Sequence, residues 1–202
     1  LRVGVTRVRE DLEALLREPV AEITGKGRVG PPGARVVVGT EAVLHQVESA
    51  STVVFLELDQ ELLAPRYRAG EQALALLARA SRLVGGRRGR VLVQTRHPDH
   101  AVIQAALRAD PDPLAETESA RRELLELPPV VPVAVVGGAA GDAYVGALRS
   151  AEGGTHLRFD RGPTGDWLVR AADRGVLLDA LAAPPRPSGR LRLWIDPARL
   201  PT

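Results

Sequence analysis

Three observations predict an α/β chain in two parts. Short β-branched runs alternate with amphipathic helical stretches up to about residue 97. A proline-flanked helical stretch follows. After Pro129 the order becomes strand–helix–strand–strand–helix–strand. With 45% hydrophobic residues, the 202-residue chain can form one large core or two small ones, which excludes a disordered tail. No run reaches the ~18 apolar residues that cross a bilayer, and the front of the chain lacks a signal-peptide layout. A cytoplasmic protein with no membrane partner is expected.

The elements follow in order. Val8, Leu12, Leu15 and Leu16 recur at helical spacing, predicting a helix that begins at Thr6. Val20 to Ile23 reads as a strand, Gly25 to Gly33 as a glycine- and proline-rich loop, and Arg35 to Val38 as a buried strand closed by Gly39-Thr40. Thr52 to Leu58 is a β-branched and aromatic strand ending at Asp59. Arg66 to Val84 is helical, with Tyr67, Leu74, Leu77 and Val84 on an apolar side and Arg68, Gln72, Arg79 and Arg82 on a polar stripe. Arg90 to Thr95 is another strand, and the alternation points to a mainly parallel sheet over residues 1–97. Residues 98–127 form a helical connector: one helix from His100 to Arg108, and a second capped by Asp112 and stopped by Pro128-Pro129. Residues 128–202 form a small α+β domain. Its strands are Val130 to Val136, Thr155 to Asp160, Asp166 to Arg170 and Arg190 to Ile195, and its helices Gly141 to Arg149 and Asp173 to Leu181. That order is the split βαβ, ferredoxin-like arrangement.

Cysteine is absent, which excludes disulfides, thiolate zinc sites and cysteine nucleophiles. Methionine is absent too, and a chain opening on Leu1 is expected to be a fragment or trimmed at its front. The net charge is only +2, yet Lys26 is the one lysine among 27 basic residues. A GC-rich genome gives that bias without functional meaning; the planar donor fork of arginine also suits phosphate. Both readings stay open on composition.

Four local patterns are candidates for chemistry. Gly25-Lys26-Gly27-Arg28-Val29-Gly30 spells GxGxxG, but Pro31-Pro32-Gly33 cannot open the helix that would hold a pyrophosphate. His97-Pro98-Asp99-His100 offers two imidazoles without further ligands, and a loop with a helix cap at Asp99 is the favoured reading. Glu57 and Asp59 at a strand end can hold Mg²⁺ or move protons, but ion pairs with Arg66 and Arg68 are favoured. Arg79, Arg82, Arg87, Arg88, Arg90 and Arg96 form the densest basic stretch, around a Gly85-Gly86…Gly89 loop that can wrap phosphate. A solvated turn is the plain alternative. With aromatics at 3%, composition argues against a base-stacking platform, leaving the nucleic-acid backbone as the target.

A family resemblance rests on motifs in series. These are Gly39-Thr40-Glu41, Phe55-Leu56-Glu57-Leu58-Asp59, Pro65-Arg66-Tyr67-Arg68-Ala69-Gly70-Glu71 and Val91 to His100 with its Gln94-Thr95 and His97-Pro98 pairs. Arg121-Arg122-Glu123-Leu124-Leu125-Glu126-Leu127-Pro128-Pro129, Val169-Arg170 and Trp194-Ile195-Asp196-Pro197 complete it. Together they resemble the C-terminal half of the PriA family, the primosomal protein N-prime of replication restart, in an arginine-rich, actinobacterial type. The resemblance implies a superfamily-2, ATP-dependent DNA helicase that reloads the replisome at abandoned forks. Residues 1–97 would then be the latter part of a second RecA-like lobe, residues 98–127 the connector and residues 128–202 the family's C-terminal domain. It also implies DNA, forked or single-stranded, as partner, with single-strand-binding protein and the loading proteins of the replicative helicase, at the nucleoid. Gly39 and Thr40, with Arg87, Arg88, Arg90 and Arg96 of the glycine-rich basic stretch, are expected on DNA. No cofactor is expected on this chain alone; ATP with Mg²⁺, and zinc held by cysteines upstream, would belong to the full-length parent.

Two departures bear on activity. Ala42-Val43-Leu44-His45-Gln46-Val47 follows Gly39-Thr40 where the family carries a lysine–glycine loop. The arginine motif is degenerate, with Arg82 and Arg87 standing near the two catalytic arginines at the wrong spacing. The expected function is therefore a DNA-binding replication-restart fragment without helicase activity of its own. The alternative is the second half of an active 3′→5′ helicase motor. An unrelated nucleotide-binding enzyme would rest on the glycine pattern alone.

Overall fold

A computed structural model describes residues 4–86 and 88–200 of a mixed α/β chain. The chain divides into two compact units. One runs up to Asp59 and resumes over Gln72–Pro98; the other joins Gln60–Glu71 to the residues from Asp99 onward.

The first unit opens with helix α1 (Val5–Leu16), followed by strands β1 (Val20–Thr24), β2 (Gly27–Val29) and β3 (Val36–Gly39) and a short helix α2 (Val43–Gln46). Strand β4 (Thr52–Phe55) precedes a single turn α3 (Asp59–Leu62), which passes into the second unit after Asp59, helix α4 (Ala69–Val84), which belongs to the first unit from Gln72 on, and strand β5 (Arg90–Val93). The strands form two sheets. In one, β1 pairs antiparallel with β2 and parallel with β3; in the other, β4 and β5 are parallel. Val20, Ala21 and Ile23 of β1 are fully buried, as are Ala73 and Ala80 of α4. Gly39 is fixed by its neighbour: a Cβ there would stand 1.8 Å from the Ile23 carbonyl oxygen.

The second unit continues with helices α5 (Ala101–Arg108) and α6 (Asp112–Leu124), strand β6 (Val133–Gly137) and helix α7 (Gly141–Ser150). Strands β7 (Leu157–Arg161) and β8 (Trp167–Ala171), helix α8 (Arg174–Ala182) and strand β9 (Arg192–Ile195) complete it. The sheet order is β7-β8-β6-β9 with every neighbour antiparallel. Strands β6 and β7, linked through α7, are therefore parallel with β8 between them, and β8 and β9, linked through α8, enclose β6 likewise. Ala134, Val136, Val169, Tyr144, Leu148, Leu177 and Leu181 form the core where α7 and α8 cover the sheet. On the opposite face an Asp166–Arg192 pair at 2.8 Å crosses β6 where Gly137 has no side chain; a Cβ there would lie 1.9 Å from Asp166 Oδ1.

A polar cluster ties three stretches of this unit together. Arg122 of α6, 6% exposed, reaches Glu71 Oε1 at 2.7 Å and Glu118 Oε2 at 3.5 Å. Neither its Nε nor its Nη2 is aligned with a hydrogen-bond acceptor, so charge rather than hydrogen-bond direction holds it. The guanidiniums of Arg68 and Arg122 stand over the Tyr67 ring at 5.6 and 5.8 Å, and the Tyr67 hydroxyl donates to the Pro197 carbonyl. Burial pushes the Tyr67 phenol above its usual pKa. Gly70 lets Glu118 come close, since a Cβ there would be 3.2 Å from its Oε1.

Several elements depart from the sequence expectation. Helix α1 begins at Val5 on an uncapping Gly4, and Leu15 is 77% exposed, so the apolar repeat does not mark one buried face. The glycine-rich stretch is a β-hairpin: Gly27, at φ 126°, opens β2, and no helix follows that could hold a pyrophosphate. The single parallel sheet is two separate sheets. Strand β4 stops at Phe55, and α4 starts at Ala69, leaving Tyr67 and Arg68 ahead of the helix. At α5 the cap is His100, whose Nδ1 accepts from the Val102 amide, rather than Asp99. At α6 Asp112 is the first helical residue, and its amide donates to Asp110 Oδ1 at 3.1 Å.

Removing the Arg122 guanidinium would leave Glu118 buried without its i,i+4 partner. Arg122→Ala is expected to lower unfolding stability by about 3 kcal/mol, read as a shifted denaturant midpoint; an unchanged midpoint would show the cluster to be dispensable.

Candidate nucleic-acid interface

The basic stretch lies around β5, and the strand divides it. Arg88 and Arg90 sit at the amino end, in and just after the turn that links α4 to β5; Arg96 lies in the loop beyond the carboxyl end. Arg87 lies outside the described residues. The turn needs its glycines: Gly85 and Gly86 have φ 46° and 67°, and a Cβ on Gly89 would come within 2.5 Å of the Val84 carbonyl oxygen. Arg82, Arg88, Arg90 and Arg96 are exposed and form no ion pair among the described residues. Arg79 behaves differently. Its Nε donates to the Leu44 carbonyl at 2.5 Å, so it holds α2 rather than facing solvent.

A second group collects at the carboxyl ends of strands, where open α/β sheets place their ligands. Gly39 ends β3; the exposed Thr40 donates its amide to Ile23 and accepts from the Val43 amide at 3.0 Å. After β4 and β5, the Asp59 carboxylate accepts from the Thr95 hydroxyl and, at 2.9 Å, from the Arg96 amide. Thr95 also receives the His97 amide at 2.9 Å, so the loop carrying Arg96 is pinned at three points. The Thr95 hydroxyl, then the Arg96 N–H, hold the Asp59 carboxyl below its usual pKa; burial opposes them, and His97 and Arg96 add smaller charge effects.

The carboxylate pairing expected here is replaced by another set. Asp59 is engaged by Thr95 and Arg96, Arg66 pairs with Glu61, and Arg68 pairs with Glu71 at 3.5 Å as its i,i+3 spacing suggests. The sequence pattern missed Thr95 as a partner because 36 residues separate it from Asp59. The parallel register of β4 and β5, Phe55 opposite Val93, brings them together. No group of three or more metal-ligating side chains occurs among the described residues, so the His97–His100 pair gains no further ligands.

No family model matches the chain. The similarity is to PriA. The replication restart protein PriA of Chlamydia pneumoniae is 34% identical over 134 residues, 62% of this chain. The chain spans 16% of that relative's length. No helix among the described residues is long and apolar enough to cross a membrane.

The Asp59 carboxylate sets a pH dependence. Its pKa is lowered in the folded state, so its contribution is complete above the ordinary carboxylate value of 3.8 and fades as pH falls through the folded value. Thermal unfolding followed from pH 6 down to about pH 2.5 is expected to show a steeper loss in wild type than in Asp59→Asn. Parallel curves would mean that the Thr95 and Arg96 contacts add nothing to folding.

Proposed function

We propose that the chain is a DNA-binding portion of a replication-restart protein, contacting the backbone of forked or single-stranded DNA and carrying no helicase activity of its own. The carrying observation is the contrast in arginine pairing. Across the second unit's sheet and at the start of α8, Arg158, Arg161, Arg170, Arg192 and Arg174 are engaged by carboxylates. Around β5, Arg82, Arg88, Arg90 and Arg96 are left for an outside anion, two of them on a glycine turn whose backbone can approach a phosphate.

The finer reading takes residues 1–97 as the latter part of a second RecA-like lobe. The parallel pairs β1–β3 and β4–β5 support it, with the Gly39-Thr40 and Asp59 groups at their carboxyl ends. Residues 98–127 are the connector, and residues 128–202 a ferredoxin-like C-terminal domain, supported by the β7-β8-β6-β9 order. On this reading the chain is the C-terminal half of an actinobacterial-type PriA, working at the nucleoid in the cytoplasm. Single-strand-binding protein and the loaders of the replicative helicase are its further partners. A catalytic arginine must meet the γ-phosphate to within a fraction of an ångström, and the altered spacing of Arg82 and Arg87 argues against that. ATP with Mg²⁺, and zinc, belong to the longer parent.

The test is the salt dependence of DNA binding by fluorescence anisotropy. Arg88→Ala and Arg90→Ala are each expected to weaken binding similarly for all base sequences and to flatten the slope of log affinity against log salt by up to about one unit. Undiminished affinity and slope in both variants would reject the reading. A DNA-stimulated ATPase in the full-length parent that Arg82→Ala abolishes, with DNA affinity kept, would replace it with the motor.

A further inference from the structure

The second unit carries a cleft on the side of its sheet away from α7 and α8. Strand β9 is an edge strand, and Arg192 and Trp194 alternate outward while Leu193 and Ile195 pack on the core. Together with Thr164, Asp166, Arg199 and Leu200 they line a cleft of about 370 Å³. Trp194 is 49% exposed, and its indole N–H has no partner among the described residues. The other tryptophan is spoken for: Trp167 donates to Asp142 Oδ1 at 2.7 Å and lies under Arg149 and Arg161, whose guanidinium carbons are 4.8 and 4.6 Å from its ring.

The walls specify what fits. The half-exposed Trp194 indole, with one guanidinium over it rather than two, asks for a planar π-system. Arg199, unpaired among the described residues, asks for anionic charge beside that plane, while Arg192 stands 5.5 Å over the Trp194 ring and is itself paired with Asp166. Asp166 is neutralised by Arg192 at 2.8 Å, so it does not repel an anion, and with the Thr164 hydroxyl it offers acceptors to N–H groups at a ring edge. A planar ring with edge donors and an adjoining phosphate is a nucleotide. Within a duplex both faces of a base are already stacked, so the cleft selects an unpaired one.

We infer that the Trp194 cleft is a stacking subsite for a single unpaired base of a DNA strand, with Arg199 on the flanking phosphate. The inference rests on the DNA-binding reading and adds to it a contact that responds to the base and to strandedness, in the second unit. Local placement outweighs composition here, since one exposed tryptophan between arginines suffices for one base.

Titrating the 202-residue chain with a single-stranded oligonucleotide is expected to quench indole fluorescence. Trp194→Phe removes that quench while keeping affinity within about threefold, and Trp194→Ala lowers affinity by about five- to a hundredfold at an unchanged thermal midpoint. Affinity for the duplex of the same sequence stays the same in all three proteins. Equal quenching by a mononucleotide at matched concentration would overturn the assignment to a strand. Salt-dependent single-strand binding that neither quenches the indole nor responds to Trp194→Ala would overturn the subsite and leave the arginine reading standing. Absence of any DNA binding by wild type would remove both.

Discussion

Burying the Arg122 guanidinium is the demand around which much of the second unit is arranged. An arginine at 6% exposure costs several kcal/mol unless its charge is met. The charge is met from two directions, by Glu118 on its own helix and by Glu71 from a segment distant in sequence. That segment cannot then be a free linker. Tyr67 lies under both Arg68 and Arg122 and ties its hydroxyl to Pro197 near the chain's far end, while Gly70 has no side chain because Glu118 needs the room. The motif Pro65 to Glu71, the Arg121-Arg122 pair and Asp196-Pro197 thus serve one electrostatic arrangement.

The same accounting separates two uses of arginine. On the second unit's sheet, Asp160 receives Arg158 and Arg170, Asp166 receives Arg192 and Asp196 receives Arg174, so these charges largely cancel within the fold. Exposed pairs of this kind add little stability each, on the order of 1 kcal/mol or less. Their larger effect is to remove those arginines from the field seen by a distant anion. Around β5, Arg82, Arg88, Arg90 and Arg96 form no ion pair among the described residues, and Asp59 takes the Arg96 amide rather than its guanidinium. Composition, with its small net charge, hides that difference.

Much of the fold was legible in the sequence. The second unit's strands and helices fall within a few residues of their expected places, because β-branched runs such as Val133 to Val136 and the Asp173 cap on α8 are local signals. Long-range pairing was not legible. The hairpin at Gly27 needed knowledge that Val29 would pair with Glu22, and the split of the first unit's strands into two sheets has no local sequence signal. At the candidate site, the glycine turn and its arginines could be read from the residues, whereas Asp59–Thr95 depended on strand register. Trp194 was visible as a letter, but its exposure follows from β9 lying at an edge.

The placement of the arginines along β5 limits what they can do. Arg90 begins the strand and Arg96 lies beyond its end, so at about 3.3 Å per residue the two are separated by at least ~10 Å of strand. Successive phosphates along one strand of B-form DNA rise by about 3.4 Å, so that separation spans three nucleotides or more. Such spaced contacts hold a backbone in register without converging on a single phosphoryl group. A motor's arginines must converge on one γ-phosphate, whereas the Asp59–Thr95–Arg96 clasp fixes a loop through its main chain and leaves Arg96 exposed. Distributed grip on a strand is what this arrangement favours.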